Sequence, residues 1–388
     1  MESFIRQIEI KKLRHLEDIK IVLSPAERKH LMVTGKNGSG KTSFLETITD
    51  CFNAIIENVK SNPEQTSDDG KFVLLMCAVM NGDVHIAFNS VDWNSFVDGN
   101  FILAYFPAGR KANVLMATGV ENVKLSNNYN LSDDPAQNLV KYMVHLKTQQ
   151  AYARQENDFK IETDIQNWFD RFENALKILL EDETIRLEYD YKNYNFLIHQ
   201  TGRLPFGFNE LSDGYSSVIQ IMSGIMLRME QNWLLKGTLS NYNFEGIVLI
   251  DELETHLHIE LQRKILPFLT EFFPRVQFII STHSPYILTS VSNATIFDLE
   301  KKVTFNDMSN YSIDNVAEAY FDSEDYSVKL EQKLAEYKSL IEKPDPTEEE
   351  RIRRAELRTE LKNINGTLSA RIKNEFEEIE VRRKNGQN

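Results

Sequence analysis

Apolar residues alternate loosely from Phe4 to Ile10 (Ile5, Ile8, Ile10) and more regularly from Leu16 to Leu23 (Ile19, Ile21, Leu23). That period predicts two strands joined by Lys11-Lys12-Leu13-Arg14-His15. A third strand, His30 to Thr34, gives way to helical spacing at Phe44, Leu45 and Ile48, running to about Val59. Ser61 to Gly70 is polar and rich in breakers, so it reads as a loop. Phe72 to Val79 and Val84 to Phe88 flank Asn81-Gly82, a hairpin signal. Phe101 to Phe106 is a further apolar run and ends in Pro107-Ala108-Gly109-Arg110.

From Lys111 to Arg203 the pattern turns polar and mostly helical. Asp134-Pro135 is a helix start with proline at the first helical position. Leu139, Tyr142, Met143 and Leu146 follow at helical spacing, and Ile161, Ile165, Trp168, Phe169, Phe172, Leu176 and Leu179 form a second stripe. The two stripes predict an αα-hairpin with an apolar core. Thr184 to Asp190 and Asn195 to Gln200 read as strands. Ser212 or Asp213 is a good N-cap for an amphipathic helix carrying Val218, Ile221, Met222, Ile225, Met226 and Met229. Two uninterrupted apolar runs, Gly246 to Ile250 and Val276 to Ile280, look like buried parallel strands. Leu261, Ile265 and Phe268 predict a helix between them, kinked or shortened by Pro267. Ala294 to Leu299 reads as a last strand. Beyond about Asp314 the chain is charged and helical. Leu330, Leu334, Tyr337 and Ile341 form one stripe, Pro344-Asp345-Pro346 breaks it, and Thr347-x-x-Glu350 is a capping box for the next helix. Leu357, Leu361, Ile364, Leu368, Ile372, Phe376 and Ile379 then recur at three- and four-residue steps. This apolar face either packs on the rest of the chain or docks a partner.

Several strand ends carry residues that handle phosphate. Gly35-Lys36-Asn37-Gly38-Ser39-Gly40-Lys41-Thr42 matches the P-loop pattern in its strand–loop–helix context. Glycines there turn backbone N–H groups onto phosphate oxygens, and the helix N-terminus favours an anion. Lys41 can reach the β- and γ-phosphates, and the Thr42 hydroxyl can hold Mg²⁺. The strand ending at Ile250 is followed by Asp251-Glu252, two acids that would be costly there without metal or hydrogen bonds. Asp251 can serve the Mg²⁺ shell, and Glu252 can polarise a water for attack on the γ-phosphate. His283, one βαβ unit later, can donate a hydrogen bond to that phosphate or water. Arg110 is either a phosphate ligand or an ordinary surface arginine. His256-x-His258 has no third or fourth ligand at zinc spacing.

Composition narrows the setting. The 388 residues allow two or three lobes, and 41% hydrophobic with 26% charged residues is a globular balance. Lys and Arg number 44 against 58 Asp and Glu, a net charge of −14. This argues against a general nucleic-acid coat, while a local basic groove stays open. Cys51 and Cys77 lie in apolar surroundings and read as reduced core residues, so the expected location is cytoplasmic. Met1 to Arg6 resembles neither a signal nor a transit peptide. No apolar run approaches the ~20 residues of a membrane span, so no membrane partner is expected.

In order, the P-loop, the strand ending in Arg110, the helical stretch, Leu211-Ser212-Asp213-Gly214-Tyr215, Leu249-Ile250-Asp251-Glu252 and Ser281-Thr282-His283 resemble ABC-class P-loop ATPases of the RecF, SMC and OLD (overcoming lysogenisation defect) type. Asp251-Glu252-Leu253-Glu254-Thr255-His256-Leu257-His258 and Ser281-Thr282-His283-Ser284-Pro285 are especially like the ATPases of anti-phage systems, including Septu and retron systems. The resemblance covers roughly residues 4 to 300. It implies an α/β fold: an ABC-type head with a mixed sheet, an inserted helical hairpin and a C-terminal helical extension. The corresponding division is 1–112 (N-lobe with P-loop), 113–205 (mainly helical insertion), 206–310 (C-lobe) and 311–388 (helical hairpin).

The resemblance also implies ATP and Mg²⁺ as cofactors. Gly35, Asn37, Gly38, Ser39, Gly40, Lys41, Thr42, Ser43 and Arg110 would hold the nucleotide, and Thr42 and Asp251 the metal. Lys41, Glu252 as base and His283 as switch would be catalytic. In this family the signature serine meets the γ-phosphate held by the opposite subunit, so Ser212 and Gly214 would complete a head-to-tail sandwich of at least two copies. Asp213 stands where the family commonly has Gly or Ser, Tyr215 where it has Gln or Glu, and Leu253 where it has Pro. No Q-loop glutamine can be assigned. These departures imply slow turnover. Full OLD nucleases carry a Toprim domain after the ATPase, whereas helices are expected here after Asp298, so any effector would be a separate protein docked on the inserted or C-terminal helices. The leading expectation is an ATPase controlling such an effector in anti-phage defence. The alternatives are a RecF- or SMC-like DNA repair ATPase, which would make nucleic acid a partner, an ATP-bound scaffold that sequesters a toxin without hydrolysis, and an ABC transporter subunit.

Overall fold

Every residue of β3 (His30–Thr34) is buried, the signature of a strand paired on both sides and covered on both faces. It is third in a six-stranded sheet ordered β12 (Val303–Asn306), β11 (Ala294–Asp298), β3, β10 (Val276–Ser281), β9 (Glu245–Ile250) and β6 (Phe101–Phe106). Adjacent strands are parallel except β12, which is antiparallel to β11. The sheet is therefore mixed and the fold α/β. The computed structural model describes residues 2–14, 16–61, 74–79, 82–90, 95, 99–110, 113–123, 125–126, 129–230, 244–311, 313, 316, 324–343, 346–362 and 376–380. They fall into two compact units, Met1–Asn310 and Tyr311–Asn388.

A second, antiparallel sheet has the order β2 (Leu16–Val22), β1 (Ile5–Leu13), β5 (Gly82–Phe88), β4 (Leu74–Val79). Gln277 of β10 joins the two sheets. Its Nε2 donates to the carbonyls of Ile5 (2.9 Å) and Lys29 (2.7 Å), and its Oε1 accepts from the Ile5 N–H (2.7 Å). A fully buried amide is stable there because its partners are supplied. α1 (Lys41–Ser61) packs Phe44, Leu45, Ile48, Cys51, Phe52 and Ile55 into one core with Ile5, Ile8, Ile10 and Val33, the three- and four-residue spacing of one helix face.

The stretch between β6 and β9 belongs to the first unit. A 3₁₀ turn, Pro135–Asn138, leads into α2 (Leu139–Glu156), which turns at Asn157 (φ 60°) into α3 (Phe159–Leu180). The Asp158 side chain caps α3 by accepting from the Ile161 N–H at 3.1 Å. Trp168 stacks on Phe172 and meets Tyr142 and Phe169 edge-on, while Phe169 stacks on Phe196 of β8 (Asn195–His199), which pairs with β7 (Arg186–Asp190). The aromatic stripe is thus core. After it come α4 (Asp213–Met229), α5 (Ile259–Phe272) and the short α6 (Pro285–Leu288).

Some boundaries differ from expectation. β1 continues to Leu13 and absorbs most of the expected linker, turning at Arg14 (φ 52°). α5 runs through Pro267 to Phe272. β12 has no counterpart in the sequence reading, because its four residues, mostly exposed at the sheet edge, are too few to carry a period. The loop at 62–73, Asn81 of the hairpin turn, Pro344-Asp345 and the positions from Ile364 to Ile372 lie outside the described residues.

In the second unit, α7 (Glu324–Glu342) and α8 (Glu348–Lys362) face each other through Leu334, Tyr337, Leu357 and Leu361, with Phe376 completing the cluster. Among the described residues, these apolar positions thus find partners within the unit itself. The Thr347 N–H donates to Glu350 Oε2 (2.9 Å) and the Glu350 N–H to Thr347 Oγ1 (3.3 Å), a reciprocal cap on α8. Arg353 donates to both carboxylate oxygens of Glu336 across the helix pair, at 2.9 and 3.1 Å.

Candidate functional site

Because β6, β9, β10 and β3 run parallel, their C-terminal ends open onto one edge of the sheet, where α/β folds place their sites. Register sets Val33 beside Ser281, and Ile250 beside both Ile280 and Phe106. Backbone bonds continue past the strands: the Thr282 N–H donates to Val33 (3.0 Å), Leu253 to Ser281 (3.1 Å) and Asp251 to Phe106 (2.8 Å). The P-loop, Asp251-Glu252, His283 and Arg110 all follow from these ends.

In the P-loop, Gly35, Gly38 and Gly40 have φ of 138°, 82° and 95°, a region that side-chain-bearing residues avoid. Asn37 and Gly38 are exposed. The buried Lys41 holds its ammonium against the loop, donating to the carbonyls of Gly35 (2.9 Å) and Lys36 (3.2 Å). Burial lowers its pKa, opposed by the charges of Glu252, Glu254, Asp251 and Asp298. The Ser43 hydroxyl accepts from Arg14 at 2.5 Å.

Asp251 is 1% exposed. Its Oδ2 accepts from the Thr42 hydroxyl (2.8 Å) and its Oδ1 from the Ser281 hydroxyl (2.5 Å), so the burial of a carboxylate is compensated. The Ser281 Oγ also accepts from the Glu252 N–H at 2.7 Å. Glu252 itself sits at φ 45°, a conformation costing roughly 1–3 kcal/mol unless its surroundings impose it. Its Oε2 accepts from the Thr255 hydroxyl at 3.3 Å. His283 is half-buried, and its backbone N–H donates to Glu254 Oε1. Burial, then the Lys41 charge, lower the His283 pKa against the opposing pull of Glu252 and Asp251, which favours the neutral imidazole. Burial raises the Glu254 pKa, moderated by its hydrogen bonds from the His283 N–H and the Thr282 side chain. Thr42 and Asp251 offer a pair of hard oxygens of the kind Mg²⁺ selects. The residues present fit a Mg²⁺–nucleotide.

Arg110 is the site residue whose contacts depart from expectation. It is not a surface residue: it is 4% exposed, and its four hydrogen bonds run to main-chain carbonyls, those of Pro107, Asp251, Glu252 and Leu253.

In the signature stretch, Ser212 caps α4 without a side-chain cap hydrogen bond, and both Ser212 and Asp213 are exposed. Gly214 is buried against its own chain. A Cβ there would lie 2.4 Å from the His256 carbonyl oxygen, so only glycine allows α4 to approach the loop after Glu252. Tyr215 meets His258 edge-on at 5.9 Å. Gly214→Ala is expected to destabilise the fold by about 1–3 kcal/mol through overpacking and to lower ATP turnover, because the displaced backbone belongs to the Glu252 loop. A thermal melt paired with an ATPase assay checks this; an unchanged melting temperature and rate would refute it.

The sequence reading missed the roles of Ser281 and Glu254, and also Gln262, whose side chain donates to the Leu257 carbonyl (2.7 Å) and accepts from the Ser284 hydroxyl (2.7 Å). The available signal for Glu254 was a third acid within four residues of the end of a buried strand, which is costly there without partners. Among the described residues no His/Cys/Asp/Glu group could hold a metal ion by itself, and no helix is long and apolar enough to cross a membrane.

A family described as "AAA domain, putative AbiEii toxin, Type IV TA system" matches residues 108–289. The chain is 24% identical to the Septu protein PtuA of Bacillus mycoides (strain KBAB4), over 95% of this chain and 51% of that protein. It thus spans about half the length of that relative. It is 44% identical to the "Retron Vc95 probable ATPase" of Vibrio cholerae serotype O1 biovar El Tor, over 22% of this chain and 16% of that one. Among solved structures, an SMC head bound to the C-terminal winged-helix domain of ScpA aligns over 78% of this chain and 96% of its own, with 12% identity and a TM-score of 0.40. In motif order and in its relatives alike, the chain resembles ABC-like P-loop ATPases of the anti-phage type, those of Septu and retron systems.

Proposed function

We propose that this chain binds and slowly hydrolyses ATP, that ATP joins two copies head to tail, and that the nucleotide state controls a separate effector protein in anti-phage defence. The observation that carries the reading is the hydrogen-bonded chain Thr42–Asp251–Ser281, with Glu252 fixed to the same serine. It supports reading Thr42 and Asp251 as the metal-holding pair and Glu252 as the base, near the P-loop lysine. Thr42 and Asp251 would hold Mg²⁺, which when bound would supply positive charge against the negative charge that develops during transfer. Lys41 holds the β/γ-phosphate end, Glu252 takes a proton from the attacking water, and the His283 ring offers a hydrogen bond near the same atoms. The exposed Ser212 at the start of α4 suits contact with a nucleotide held by another copy, the α4 N-terminus favouring the anion. Tyr152, Phe159 and Ile178, more than half exposed on α2 and α3, support the inserted helices as an effector dock.

Light scattering of the full chain tests the assembly. With Mg²⁺ and a non-hydrolysable ATP analogue the mass should double, and Ser212→Arg, which brings bulk and charge to the shared face, should prevent this while leaving analogue binding intact. A mass unaffected by the analogue would end the head-to-tail reading.

A further inference from the structure

Asp251, Glu252 and Leu253 present three consecutive carbonyls to one guanidinium. Arg110 Nη1 donates to Asp251 (2.5 Å) and Nη2 to Glu252 (2.9 Å) and Leu253 (3.1 Å); a further bond from Nη1 to Pro107 (3.1 Å) anchors Arg110 to its own turn. In an extended chain successive carbonyls point to opposite sides, so three can converge on one cation only if the backbone curls. The left-handed φ of Glu252, 45°, is that curl. The opposite, N–H side of the segment is held as well: Glu252 donates to Ser281 Oγ and Leu253 to the Ser281 carbonyl. Arg110 is buried among acids, with Glu254, Asp251 and Glu252 offsetting the cost of desolvating its charge. That desolvation lowers its pKa to about 10, which leaves the guanidinium charged at neutral pH.

We infer that Arg110 is a positioning residue for the Glu252 carboxylate: its guanidinium fork holds the Asp251–Leu253 main chain in the curled form that aims Glu252, and it does not serve as a phosphate ligand. The inference rests on the proposed ATP-hydrolysing reading of the same site. Geometry makes the fork essential. A guanidinium presents donors in a fixed plane, whereas an ammonium is a point charge on a flexible stem. Lysine could therefore replace Arg110 against a phosphate but not across three carbonyls.

Arg110→Lys and Arg110→Met in the full chain distinguish the roles, with the lysine variant retaining a buried cation should the methionine variant fail to fold. Three quantities are read: affinity for a non-hydrolysable ATP analogue, turnover, and amide hydrogen exchange across 251–257. Both variants should keep analogue affinity within about twofold, a change of under 1 kcal/mol. Exchange at 251–257 should speed up, and turnover should fall about a hundredfold, the cost of a misplacement of about 1 Å. An affinity loss of about tenfold or more with unchanged exchange would make Arg110 a phosphate ligand and overturn the inference. Full turnover in Arg110→Lys would overturn it too, by showing that charge alone suffices. If the native chain hydrolyses no ATP, the hydrolytic reading fails, and exchange with affinity still decides the role of Arg110.

Discussion

Glu252→Gln should bind ATP as tightly as the native chain and turn it over about 10²–10⁴ times more slowly, the range for loss of a general base. The substitution keeps shape and removes the ability to take a proton. The main chain at 252 is held by Ser281 and Arg110 rather than by the carboxylate, so the amide should occupy the same place. The contact from the Thr255 hydroxyl to Oε2 is long, at 3.3 Å, and an amide oxygen can accept it equally well. Only the chemical step is left to change. Single-turnover kinetics beside an equilibrium titration separate the two effects, and the ATP-joined form should accumulate in the variant. Turnover reduced less than about tenfold would remove Glu252 from the role of base.

Lys41→Ala should act one stage earlier. The native ammonium is buried and bonded to two P-loop carbonyls, and Glu252, Glu254, Asp251 and Asp298 all favour its charge. A charge-assisted contact of this kind contributes about 2–3 kcal/mol, so ATP affinity should fall roughly 30- to 150-fold. Its removal also takes away a positive charge that interacts with all four acids, which adds to the repulsion that the phosphates meet. Assembly driven by ATP should weaken with affinity and recover when nucleotide is raised in proportion. Calorimetric titration measures the first effect and light scattering the second. Native ATP affinity in Lys41→Ala would contradict the proposed nucleotide site, whereas lost affinity with unaltered nucleotide-dependent association would contradict the sandwich alone.

The most legible parts of the chain were those where chemistry is local. β3, β9 and β10 announce themselves as apolar runs that stop at polar residues, and the P-loop carries its turn, helix and lysine within a few positions. Asp251 could be recognised because two acids at the end of such a strand need a reason. Arg110 could not be read in the same way. An arginine after Pro107-Ala108-Gly109 looks like a surface turn, and the carbonyls that bury it are over a hundred residues further on. Gly214 reads as a signature glycine, while its close approach to His256 depends on a helix and a loop meeting in space. The apolar stripes of α7 and α8 have a clear period, but period alone does not say what they face; the cluster of Leu334, Tyr337, Leu357 and Leu361 answers it.

The place of β3 in its sheet has a consequence for how the protein is made. Its neighbours are β10 and β11, which leave the ribosome long after it. At about 5–20 residues per second, the P-loop strand waits roughly ten seconds to a minute for both. For most of that interval Asp251 has not been made, so its bond to Thr42, between residues 209 apart, does not exist. Nascent chains that stop before Asp251 therefore carry the phosphate loop without its acidic counterpart, and β3 gains its second neighbour only once β11 has been made as far as Asp298. Premature termination before that point should yield fragments in which β3 lacks a flanking strand and the P-loop lacks its support, a built-in screen against truncated copies.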